Sequence, residues 1–165
     1  MPATYEPIAT TTLSSTASTI TFSSISGSYT DLRIILTATT TASVVPSLRF
    51  NSNTATNYSN TSLHGNGSTA NSGRNTSTNE MFMTDNTQTS TTIPILVDIN
   101  IFSYSGSTNK TVLSCNSGDL NGSGVVERVV GLWRQTAAIT SIELRARSTT
   151  WASGTTATLY GILKA

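Results

Sequence analysis

The chain has 165 residues and a mass of 17.4 kDa, and only 10% of its residues are charged, leaving a net charge of +1 and a pI near 7.9. This length suits one domain with a core of its own, and the near-neutral balance lacks the basic stripe that neutralises phosphates, so nucleic-acid binding is excluded as an expectation. No stretch approaches the roughly 20 apolar residues of a membrane helix, residues 1–7 have neither the basic start nor the apolar run of a signal peptide, and Cys115 has no second cysteine to pair with.

Thr, Ser and Asn fill the place of charged residues, and β-branched side chains recur at alternating positions, so the sequence reads as a folded β protein with a hydroxyl-rich surface. Residues 1–15 contain Pro2 and Pro7 among Thr and Ser and read as an extended arm. Tyr5, Pro7 and Ile8 are its candidate contacts, either adding a strand to a neighbour or lying in a frayed terminus. Residues 16–165 form the predicted domain. Strands are predicted near 8–13, 18–22, 31–40, 46–51, 79–84, 91–104, 110–115, 125–135, 139–147 and 157–164.

Within 31–40, Leu32, Ile34, Leu36 and Ala38 share one face; within 91–104, Ile93, Ile95, Val97, Ile99 and Ile101 do the same. Pro94 predicts an edge or a bulge, because it cannot donate to a ladder. The stretch 125–135 is apolar on both faces, which makes it a candidate subunit interface carried by Val125, Val129, Trp133 and Arg134. Residues 51–78 are polar and rich in Asn and Gly, so they are predicted as a long surface loop with Asn57, Tyr58, His64 and Asn66 as candidate contacts. A second turn-rich run, 116–124, suits a hairpin end. Many short strands without intervening helices predict an all-β antiparallel β-sandwich, jelly-roll-like, with the extended N-terminal arm.

Little in the sequence points to catalysis. His64 is the only histidine, so a histidine zinc site cannot be assembled, and Cys115 alternates with Leu113 in a pattern that predicts an inert core thiol. The eight carboxylates stand singly in sequence. Asp119, Asn121 and Gly122 resemble the start of a calcium loop whose later ligands are missing. Six Asn-x-Ser/Thr triplets follow from the composition. No cofactor, metal or catalytic residue is therefore expected. Trp133, Trp151, Tyr58, Tyr104 and Tyr160 are expected mainly in the core or an interface, with a sugar-stacking platform as the alternative.

Three stretches carry a family resemblance: Leu48-Arg49-Phe50-Asn51 followed by Asn57-Tyr58-Ser59 and Gly65-Asn66-Gly67-Ser68; Val130-Gly131-Leu132-Trp133-Arg134 followed by 136–142; and Gly154-Thr155 through Leu159-Tyr160-Gly161-Ile162 to Ala165. With the opening 5–10, the chain resembles small β-sandwich virion structural proteins of tailed phages and cyanophages. The resemblance implies a bacteriophage capsid decoration (cement) protein on the outer head shell, non-enzymatic and without cofactor. It also implies binding to the major capsid protein or other virion proteins, a homotrimer or a dimer, assembly in the host cytoplasm and residence in the virion. The alternative is a tail-fibre or receptor-binding tip that holds a host glycan.

Overall fold

The structure, a computed structural model, describes residues 4–119 and 121–163, and all its regular elements are strands. In chain order these are β1 (Tyr5–Thr12), β2 (Thr19–Phe22), β3 (Asp31–Ala38), β4 (Ser47–Phe50), β5 (Tyr58–Gly65), β6 (Ala70–Thr78), β7 (Met81–Phe82), β8 (Ile95–Phe102), β9 (Lys110–Gly118), β10 (Val125–Trp133), β11 (Ile142–Arg145) and β12 (Thr156–Ile162). They form an antiparallel β-sandwich of an eight-stranded sheet, ordered β1-β12-β3-β8-β9-β10-β5-β6, and a four-stranded sheet, ordered β2-β11-β4-β7.

Alternation decides which side of each strand enters the core. Leu32, Ile34 and Leu36 on β3 and Val97, Ile99 and Ile101 on β8 are wholly buried, facing Leu48 and Phe50 on β4 and Ile142 and Leu144 on β11 across the sandwich. Phe50 and Trp133 meet with ring centroids 5.4 Å apart, and Tyr58 stacks on Trp133 at 6.2 Å. Such aromatic contacts add about 1 kcal/mol each beyond the area they bury. The close approach of the sheets at this point needs Gly131, since a Cβ there would lie 1.8 Å from Met81 Sδ.

The pairing is nested. β1 pairs with β12, β2 with β11, β3 with β8 and β4 with β7, while the hairpins β5–β6 and β9–β10 are added beyond β8 on one flank of the large sheet. That flank overhangs the small sheet, and the segment 83–89 closes its inner side. Glu127, buried on β10, holds this segment by accepting from the backbone amides of Asp85, Asn86 and Thr87 at 2.8–3.0 Å. Asp85 in turn accepts from Ser62 Oγ at 2.6 Å and Asn75 Nδ2 at 2.9 Å.

Several sequence expectations change. The predicted separate arm is β1 from Tyr5 onward, paired along its length with β12 of its own chain; residues 1–3 of that stretch lie outside the described residues. Its backbone demand is met within the molecule, Pro7 is tolerated because β1 is an edge strand, and Ile8 packs on the core margin. The predicted long loop 51–78 is largely the β5–β6 hairpin. Asn66 Oδ1 accepts from the amides of Ser68 and Thr69 at its turn, and Gly67 takes a φ of 87° there. Pro94 marks neither an edge nor a bulge: it immediately precedes β8, an interior strand of the large sheet. Cys115 shares the half-buried outer side of β9 with Leu113 rather than the core.

Candidate functional site: the outer face of the large sheet

The large sheet has one face in the core and one that no other element among the described residues covers. On β10 the outward residues are Val126, Arg128, Val130 and Leu132. Register places Leu63 of β5 opposite Arg128, and Leu113 of β9 opposite Val130. Next across are Asn100 and Asp98 of β8, with Leu96 and Phe102 at either end of that strand's outward row. Val126 is 71% exposed, Leu63 61%, Val130 52%, Leu96 45% and Phe102 42%.

Scattered exposed apolar residues are ordinary, but these lie on three strands of one face, β5, β10 and β8, with the half-buried Leu113 of β9 between them, and a gathering of exposed apolar side chains marks association sites. Two shallow depressions lie on it. One, of about 490 Å³, is lined by residues that include Ile93, Pro94, Leu96 and Val126; the other, of about 350 Å³, by Leu63, Ala70, Val126 and Arg128 among others. Such a surface can pack against another apolar protein surface, with Arg128 as the single cation of the β10 row.

Toward the other end of the same face, Arg33 donates to both oxygens of Asp98, at 2.8 and 2.6 Å, and its guanidinium lies 5.8 Å from the Tyr5 ring. The hydrogen bonds from Arg33 to Asp98 raise its pKa above the ordinary arginine value. Tyr5, Arg33, Ile35 and Tyr160 line a depression of about 270 Å³.

The residues singled out from sequence fall differently. Val129 and Trp133 are core residues and Val125 is half-buried on the same side, so these three predicted interface residues lie on the inward side of β10 and the exposed side is the opposite one. Both sides are apolar, and the choice is made by Glu127, whose carboxylate finds its three amide donors only inside. Arg134 is tied back to its own chain, its Nη2 donating to the carbonyl of Thr56 at 3.2 Å.

Tyr58, predicted as a surface contact, is fully buried, with its hydroxyl accepting from the Phe50 amide at 3.1 Å; burial pushes its pKa up to about 12. Asn57 is half-buried, His64 sits half-buried opposite Glu127, and Asn66 is exposed at a hairpin tip where its side chain serves its own turn. The structure does not gather these four into one surface. Trp151 and Tyr104 are buried, which leaves Tyr160 as the one accessible aromatic of the proposed sugar platform.

Among the described residues, no three His, Cys, Asp or Glu side chains lie together as a metal-holding group, and no helix is long and apolar enough to cross a membrane. Comparison with protein-family models, with curated proteins and with solved structures found no match.

Proposed function

We propose that this chain is a structural component of a bacteriophage particle, a decoration protein that packs the outer face of its large sheet against the head shell or against copies of itself. The observation that carries the reading is the row of exposed apolar side chains on β5, β10 and β8, which water leaves unfavourably solvated until another surface covers it. Covering such side chains, which are already partly buried, contributes about 1 kcal/mol each. The nested pairing of β1 to β4 with β12, β11, β8 and β7 supports reading the sandwich as a jelly roll, an architecture that recurs in shell proteins. The partners in this reading are the major capsid protein and, through a homotrimer, other copies of the chain.

The test is occupancy on purified heads. Val126→Glu with Val130→Glu places two charges on the exposed face, where stability should change by less than about 0.5 kcal/mol per site. Occupancy should fall sharply while the melting temperature holds. Unchanged occupancy would sink the reading.

The second reading, a tail-fibre tip that holds a host glycan, draws on the Tyr5–Arg33–Tyr160 depression, where a ring face and a fixed guanidinium lie together. Glycan-array binding by the isolated chain, with gold-labelled antibody on tails and none on heads, is the outcome that would favour it.

A further inference from the structure

On the opposite side of the molecule, the outer face of the small sheet gathers three of the nine Lys and Arg residues of the chain. Arg49 on β4, Arg145 on β11 and Arg147 just beyond β11 all approach one carboxylate, Glu80, at 3.4, 3.3 and 2.8 Å. Register brings the strands together: Arg49 stands opposite Glu143, and Arg145 stands opposite Ser47, whose other neighbour is Phe82 of β7. Glu143 lies 3.8 Å from Arg145 and accepts from Ser52 Oγ at 2.6 Å. With Ser148, the Arg49, Glu80, Arg145 and Arg147 side chains line an open cleft of about 390 Å³.

Neutralising Glu80 does not require this arrangement. Three guanidiniums bring about fifteen N–H donors, whereas one carboxylate has about four acceptor positions. Three cations against Glu80 and Glu143 also leave one positive charge unmatched. Arg49 spends its Nε on the carbonyl of Asn79 at 3.2 Å. Ser47 Oγ of this face is buried with no hydrogen-bond partner, and the buried Arg145 Nε meets Glu80 at 3.3 Å as an ion pair without a well-aligned hydrogen bond.

Arg147 is held in place at a cost. Its φ of 53° lies in the left-handed region that disfavours a side chain, and its guanidinium is set 4.6 Å from the Phe82 ring centroid. Planar, permanently charged forks fixed in this way are the chemistry that recognises carboxylate, sulfate and phosphate oxygens.

We propose that this cleft is an oxyanion-binding site, taking a carboxylate, sulfate or phosphate group through the free donors of Arg145 and Arg147. Glu80 acts as an internal anion that keeps the arginines assembled and moderates the affinity. The site is independent of the apolar face and of the particle reading.

The experiment follows the arginine Nε–Hε resonances of the full chain while sodium sulfate, phosphate or acetate is added at ionic strength matched with sodium chloride. Saturable shifts at Arg145 and Arg147 are expected with at least one of the three. Arg147→Gln should weaken the apparent affinity by about tenfold. Glu80→Gln should tighten it, and where that variant fails to fold, Arg147→Lys serves instead: it keeps the charge but loses the fork, and should weaken binding. Arg128→Gln, on the far face, should change nothing.

Saturation by acetate alone identifies a carboxylate source, and saturation by sulfate or phosphate alone an ester source. Shifts no larger than those with chloride, or equal binding by Arg147→Gln, overturn the proposal.

Discussion

Two buried titratable side chains give the sandwich opposite responses to alkali. Tyr58 has its pKa raised by burial from 10.0 to about 12, so the fold disfavours its phenolate. The stability it confers is complete below pH 10, where folded and unfolded chains are both protonated, and is lost as pH rises from 10 through about 12. A shift of this size corresponds to about 3 kcal/mol. Lys110 is fully buried on β9, with Nζ donating to the carbonyls of Gly106, Thr108 and Thr136, and desolvation lowers its pKa. Its charged form is the disfavoured one, so its contribution grows as pH climbs toward 10.5. Tyr58→Phe isolates the first effect. Urea unfolding from pH 9 to 12 should show a flatter decline for the variant than for the parent, and parallel declines would refute the assignment. Tyr58 reads from sequence both as a core or interface aromatic and as a surface-loop contact, and the structure bears out the first; the burial of Lys110 has no signal there, because lysine is ordinarily a surface residue.

Strands differ in how openly they declare themselves. β3 and β8 were legible because Leu32, Ile34 and Leu36, and Val97, Ile99 and Ile101, bury a wholly apolar side and so print the period of two in the sequence. The β5–β6 hairpin was not, since its inward positions are Asn60, Ser62 and His64, which resemble loop composition and face the polar segment 83–89 instead of the apolar core. β10 was found but turned the wrong way, because valines occupy both its sides and the deciding residue is Glu127. The arginine cleft was missed although 143–147 carried a signal, as Arg145 and Arg147 stand two apart on the side that Leu144 and Ala146 leave outward. Glu127→Ala strips three backbone amides of their acceptor in a buried place. It should cost about 3 kcal/mol, read as a lower urea midpoint with an unchanged m-value. A midpoint within error of the parent would mean that the segment 83–89 is held by other contacts.

At the level of the whole molecule, the two-layer β architecture followed directly from many short alternating strands, whereas the unequal layers did not. The large sheet doubles the small one because two hairpins are inserted between strands of the nested set, and nothing in their spacing says which layer receives them. The first strand shows the same limit: a Pro-containing polar stretch reads alike as a tether or as an edge. If β1 were a detachable tether, removing residues 1–12 would leave the melting temperature alone. Since β1 completes the ladder on β12 and Ile8 packs on the core, removal should instead lower it by several degrees and bare a hydrophobic-backed margin prone to aggregation. A melting curve on the truncated chain distinguishes the two.

The two margins of the large sheet are also unlike. β1 carries Pro7 and a register irregularity between Pro7 and Ala9, whereas β6 presents nine residues without a proline. The small sheet ends in strands of only four and two residues. Endless ribbons need every molecule to be receptive on two sides. With a single receptive rim, side-by-side accretion of these sheets stops after one junction, so the same feature that permits pairing denies the fibre.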